Sequence, residues 1–170
     1  MMPDQTQQRY LQLQPHVPGA RVLAEQLLNC SQRAADMVQD ALEKALTTQH
    51  FPAREKTKAW FLQVVRNRCL DELRHLQRLT NDTDLAEPAA ETWSAERQQQ
   101  QNLVQRALAQ LSAEQRDLLV LREFNDCSYA DIAIIMGIPA GTVMSGLHRA
   151  RLALRHKLQR QMGVDHEPTN

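Results

Sequence analysis

The chain has few of the residues that punctuate or staple small folds. Among its 170 residues are 5 Gly, 7 Pro and 3 Cys, and aromatic side chains make up 4%. Runs of β-branched residues are almost absent as well, which argues against a turn-rich all-β fold. Cys30, Cys69 and Cys127 are odd in number and far apart. With no C-x-x-C pair and no Cys/His cluster, neither a disulfide framework nor a metal site is expected, and the three read as reduced, mostly buried thiols. No apolar run approaches the roughly 18 residues a membrane span needs, and the N-terminus lacks a signal-peptide pattern, so a cytoplasmic protein without membrane insertion is expected. The formal net charge is zero, which excludes a protein that coats nucleic acid through bulk positive charge. His16, His50, His75, His148, His156 and His166 are scattered without evident partners. No catalytic nucleophile or phosphate loop stands out, so neither an enzyme nor a cofactor is expected.

Ala, Leu, Gln, Arg and Glu dominate instead, all good helix formers, and apolar residues reach 42%. An all-α protein with real cores follows. Charge is balanced but unevenly spread. Residues 1–80 carry 11 basic and 8 acidic side chains, residues 81–100 carry 1 and 5, and residues 101–160 carry 8 and 5. Two mildly basic blocks therefore flank an acidic connector. Arg outnumbers Lys by 16 to 4, a composition suited to bidentate phosphate or base contacts and also to plain helix formation.

Apolar residues recur at helical spacing along Val17, Ala20, Ala24, Leu27 and Leu28. Asn29-Cys30-Ser31 interrupts them. A second helix turns Ala34, Val38, Ala41, Leu42, Ala45 and Leu46 inward. Thr47–Lys58 reads as a polar loop containing Pro52. A third helix begins near Ala59, with the spine Leu62, Val65, Cys69, Leu73 and Leu76. Together these predict a first domain over residues 10–78. Periodicity then vanishes under Asn, Asp, Thr, Glu and Pro, predicting a flexible acidic linker over 79–94.

A second domain is predicted over 95–161. Leu103, Ala107, Leu108 and Leu111 share one helix face. Ser112 through Gln115 has the spacing of a capping box. Ser128 caps a short helix to Met136, Gly137 ends it, and Pro139 suits the first turn of a last helix that buries Val143, Leu147, Ala150, Leu154 and Leu158. A short helix, a glycine turn and a longer helix with a basic outer face form a helix-turn-helix pattern, in which the second helix enters a major groove. Thr142, Ser145 and Arg149 lie on one outward face, His148, Arg151, Arg155 and Lys157 extend the positive charge, and no acid occurs between Gly137 and Gln161. A helical hairpin with a solvated basic face is the alternative.

Two other stripes carry polar chemistry. Along the third helix, Trp60 and Phe61 precede Arg66, Asn67, Arg68, Arg74 and Arg78, with Lys56 and Lys58 just upstream. Aromatic rings that stack on bases and cations that hold phosphates suit single-stranded DNA, although either ring could equally be core. Asp36, Gln39, Asp40 and Glu43 share one face of the second helix, which by composition alone reads as a solvated face.

The run Ala35-Asp36-Met37-Val38-Gln39-Asp40-Ala41-Leu42 resembles the polymerase-binding segment of extracytoplasmic-function (ECF) sigma factors of the sigma-70 family. Ala59 through Arg74 is similar to their melting and downstream-promoter helix. Leu111 through Arg122, Tyr129-Ala130-Asp131-Ile132-Ala133 and Gly141-Thr142-Val143 resemble their upstream-element domain. The likeness covers roughly residues 10–160, in the family's order. It implies an alternative sigma factor that gives core RNA polymerase promoter recognition and DNA melting. Asp36, Gln39, Asp40 and Glu43 would meet the polymerase. The Thr47–Lys58 loop would hold a base flipped from the downstream element, with Lys56, Lys58, Trp60, Arg66, Asn67 and Arg74 facing the melting strand. Thr142, Ser145, His148, Arg149 and Arg151 would contact the upstream element. The acidic linker would run near the polymerase cleft, and an anti-sigma factor would be a further partner.

The family's usual Thr-Val-Lys-Ser-Arg-Leu is broken here by Met144 and Gly146, and Ala140 stands where an acid is common. Two DNA contacts are therefore expected to be missing and upstream binding weakened, so that M144K with G146R should tighten it. Two rivals remain open at this point: a stand-alone helix-turn-helix regulator and a degenerate sigma-like adaptor.

Overall fold

The computed structural model describes residues 3–82 and 103–163. Every regular element among them is helical, and no single helix there is long and apolar enough to cross a membrane. The first helix, α1 (Pro3–Leu13), lies where the apolar pattern shows nothing, and Arg9 and Leu13 are its buried residues. A 3-10 turn, Gln14–His16, leads into α2 (Val17–Leu28). Asn29 ends α2 in the left-handed region at φ 48°, and its N–H reaches the Glu25 carbonyl at 2.9 Å. Next come α3 (Ser31–Thr47) and, after a 3-10 turn at Arg54–Lys56, the long α4 (Thr57–Asp82).

Helix α4 departs from the sequence expectation at both ends. It starts at Thr57, two residues before Ala59, and the Thr57 Oγ1 donates to the Ala53 carbonyl at 3.2 Å. It also runs on through Leu79–Asp82, the first residues expected of the linker. The rest of that linker and residues 95–102 lie outside the described residues.

A helical segment over 103–109 (α5) precedes α6 (Ala113–Leu119), a π turn (Val120–Phe124), α7 (Tyr129–Met136) and α8 (Ala140–Gln161). Ser112 and Ser128 cap α6 and α7 as their sequence implies, accepting the backbone N–H of Gln115 and Asp131 at 3.2 and 3.1 Å. Gly137 closes α7 at φ 67°, a conformation that a Cβ would strain. Pro139 occupies the N-cap of α8 rather than its first turn. The axes of α7 and α8 meet at 98°, a helix-turn-helix angle.

Within the first module, alanines at 20, 24, 34, 41 and 45 let α2, α3 and α4 approach closely around Leu23, Phe61, Leu62 and Val65. In the second, Leu118 and Leu121 pack with Ile132, Ile135, Val143, Leu147 and Ala150. The two modules do not stand apart. Helix α4 packs on α7, α2 packs on α6 and the π turn, and one hydrophobic cluster runs through both.

Candidate nucleic-acid interface

Helix α3 presents two opposite faces. Ala34, Val38, Ala41 and Ala45 are buried, while Asp36, Gln39, Asp40 and Glu43 all point to solvent. Gln39 donates to the Glu43 carboxylate at 3.2 Å, a helical i,i+4 contact that orders the stripe. Asp40, Glu43, Lys44 and Thr47 border an open depression whose far side is Arg68 of α4.

The loop before α4 is braced by a residue that the sequence reading missed. The Arg9 guanidinium is buried and one nitrogen, Nη1, donates to the carbonyls of Leu46 and Thr48 at 2.9 and 2.8 Å. Those oxygens belong to the end of α3, where helical partners run out. The same guanidinium lies 5.1 Å from the Phe51 ring centroid, and Phe51 meets Trp60 edge to face at 5.7 Å. Trp60 is thus half-buried and held from one side, while Phe61 is fully buried in the core. Of the two adjacent rings, only Trp60 retains a surface that a base could meet. Lys56 is exposed and Lys58 half-buried nearby. Burial and the Lys58 charge push the His16 imidazole below its usual pKa.

Further along α4, Asn67 is exposed, and exposed Arg74 pairs with Asp71 at 2.7 Å. Arg66 behaves differently. Its Nε donates to the Asp117 Oδ2 of α6 at 3.0 Å, and the two side chains are 16% and 3% exposed. The structure therefore places Arg66 in the contact between modules. The other Asp117 oxygen has no hydrogen-bond partner, and burial holds this carboxyl above the usual carboxylate range despite Arg66.

On the helix-turn-helix, Ser145, His148 and Arg149 are exposed and Thr142 is half-buried, its carbonyl taking a bond from the Ser145 hydroxyl at 3.3 Å. Arg151 is exposed but occupied, with two nitrogens on one Glu123 carboxylate oxygen at 3.0 and 2.7 Å. Met144 is 58% exposed. Gly146 is not a surface position. It is buried, and a Cβ there would come within 2.7 Å of Leu118 Cδ1. The expectation that an arginine is missing from the DNA face at 146 is corrected accordingly: the site faces α6, and the glycine permits the close approach of α8.

No group of His, Cys, Asp and Glu among the described residues could hold a metal ion. The Cys69 and Cys127 thiols are buried, and burial pushes their pKa values up to about 12 and about 11, so they are unreactive at neutral pH.

Comparison with known proteins accounts for this arrangement. Residues 13–79 match the family Sigma-70 region 2, and residues 101–154 match Sigma-70, region 4. The chain is 32% identical over 143 residues to the ECF RNA polymerase sigma factor EcfG of Rhodopseudomonas palustris, covering 81% of this chain and 78% of EcfG. It is 30% identical over 167 residues to ECF sigma factor SigM of Mycobacterium tuberculosis, covering 86% and 82%. The fold is similar to the sigma factor RpoE solved with the anti-sigma factor NepR from Bartonella quintana, with a TM-score of 0.70 and 32% identity over 90% of this chain and 95% of that one. A region 2 module followed by a region 4 helix-turn-helix defines the sigma-70 class of transcription initiation factor. Within that class, the chain belongs to the ECF sigma factors and is an alternative sigma factor.

Proposed function

We propose that this sigma factor divides its work among three surfaces. The α3 stripe of Asp36, Gln39, Asp40 and Glu43 docks on core RNA polymerase. The module over residues 10–78 meets the downstream element, with the segment Thr47–Lys58 between the bodies of α3 and α4 receiving a flipped base, Trp60 stacking on it, and Lys56, Lys58, Asn67 and Arg74 holding phosphates. The module over 95–161 binds the upstream element through Thr142, Ser145, His148, Arg149 and Arg151. It works in the cytoplasm without chemistry of its own. As with RpoE, solved with the anti-sigma factor NepR, an anti-sigma protein is its expected regulator.

One observation supports this reading above the rest: the acidic stripe of α3 and the first turns of α8 are both exposed, on separate modules. A stand-alone regulator has no use for the first, and the adaptor reading loses much of its support because Gly146 was never a DNA-facing position. Run-off transcription with core polymerase, followed by mapping of start sites, tests the proposal. Start sites that appear only with the chain present support it. Equal binding of duplex operator with and without polymerase overturns it.

A further inference from the structure

The Arg151–Glu123 pair joins α8 to the π turn, whereas the other exposed ion pairs among the described residues, Arg21–Glu25 and Arg74–Asp71, lie within single helices. Helix α8 has no acid of its own before Gln161, so the counter-charge comes from outside it. A single π turn is rare and recurs at functional sites. This one is pinned by Arg122, whose Nη1 donates to the Cys127 carbonyl at 2.8 Å and whose guanidinium lies 5.1 Å from the Tyr129 ring centroid. With Arg122 turned onto the start of α7, the next side chain, Glu123, is presented to α8. Both members of the pair are about half exposed, 48% and 51%, so the pair adds little to stability. What it does is hold a long side chain in place. The Arg151 Nε and Nη2 both donate to the Glu123 Oε1, at 3.0 and 2.7 Å, and among the described residues no hydrogen bond engages Nη1. One edge of the guanidinium is anchored and the other is open to a second anion. Arg151 lies midway along α8, on the stripe that also carries Met144 and His148. The first residues of a recognition helix reach base edges and those further along meet the backbone, so the open edge suits a DNA phosphate.

We propose that Glu123 is a positioning residue for upstream-element recognition: it fixes Arg151 so that its open edge meets a phosphate only when α8 lies in one register on the duplex. The proposal rests on the reading of α8 as the upstream-element helix. Glu123 itself touches no DNA. A phosphate contact carries no base identity, but it sets register and orientation. A cation that cannot swing favours the register in which the phosphate comes to it, and the start of α8 defines that register by its base contacts. Freed from Glu123, Arg151 follows a phosphate in any register and strengthens binding to all sequences alike. Ordering the side chain in advance also removes a conformational cost from the matched complex alone.

Glu123→Ala tests this in the holoenzyme reconstituted from the full chain and core polymerase. The affinity for a promoter found by start-site mapping is divided by that for the same fragment with its upstream element scrambled, both at one salt concentration. Loss of an acid strengthens binding to both fragments, and that general effect cancels in the ratio. The ratio should fall about threefold to tenfold in E123A, the worth of ordering one long side chain. E123Q, which keeps an acceptor oxygen at the same reach without the charge, should retain most of it. R151A should lose as much as E123A, and E123A/R151A should lose no more than R151A alone. Should E123A fail to fold by circular dichroism, E123S, too short to reach Arg151, takes its place and must show the same fall. An unchanged ratio in E123A overturns the proposal. So does a further fall when E123A is added to R151A, which would mean that Glu123 acts through another group, and so does an E123Q ratio as low as that of E123A. Wild-type holoenzyme that binds both fragments alike overturns the reading of α8 and this proposal with it, whereas a wild type that discriminates beside an E123A that discriminates equally overturns this proposal alone.

Discussion

Gly146 of α8 and Leu118 of α6 touch so closely that the space for a Cβ at 146 is already occupied by the Leu118 Cδ1, 2.7 Å away. An arginine at 146 would displace Leu118, which is 1% exposed, from the core of the second module. G146R should therefore cost about 1–3 kcal/mol through overpacking, read as a lower urea midpoint. G146R/L118A should recover part of the loss. A G146R protein with unchanged stability would mean that α8 can shift outward at no expense.

Met144, by contrast, is exposed at the start of the recognition helix. M144K should add one phosphate contact, tightening promoter binding by the holoenzyme at low salt. The slope of log K against log salt should steepen by about one. Binding that tightens with no change in slope would point to a base contact instead.

Arg9 joins α1 to the end of α3 through two carbonyls and the Phe51 ring. R9M should lose about 2 kcal/mol, since two part-buried carbonyls lose a charged donor. R9K should recover part of this, because one ammonium can bond both oxygens but cannot lie flat on the ring. Denaturation midpoints of the three proteins decide it.

Two groups give stability opposite slopes with pH. His16 is held below its ordinary value of 6.5, so the unfolded chain takes up the proton first, and stability falls as pH drops below 6.5. Asp117, facing Arg66 and Arg116 with Glu114 nearby, is held above its ordinary 3.8. Here the folded state keeps the proton longer, so this group adds stability as pH falls from its raised value towards 3.8. H16Q should flatten the loss between about pH 7 and 5, and D117N should remove the gain at the acid end. Thermal melts from about pH 7 down to the ordinary Asp117 value of 3.8, with slopes compared to wild type, measure both.

The α3 stripe and α8 should separate cleanly in function. D40K/E43K, on a solvated face, should leave the melting temperature within about 1 °C while abolishing co-elution with core polymerase. R149A should keep co-elution and lose dependence on the upstream element. Loss of core binding in both would show that the two faces do not act separately.

Most helices were legible in the sequence because their signals are local. The α2 stripe from Val17 to Leu28, the serine caps at 112 and 128 and the Gly137 turn each involve residues within one or two helical turns. Helix α1 was not legible. It buries one leucine and one arginine, and what holds it are bonds from Arg9 to carbonyls 37 and 39 residues away. The fates of Trp60 and Phe61 were open for a related reason: adjacent positions on a helix face different neighbours, and only the neighbours decide which ring is covered.

By itself, the sequence determined the helices after α1, their order, the helix-turn-helix and the two polar stripes on α3 and α8, since helical periodicity and capping depend on spacing along the chain. Only the tertiary structure decided that Arg66 meets Asp117, that Gly19 makes room for Asn125 and that Gly146 faces Leu118. Those pairs join residues far apart in the chain, and a side chain's partner is set by which helix faces dock, which no local spacing records.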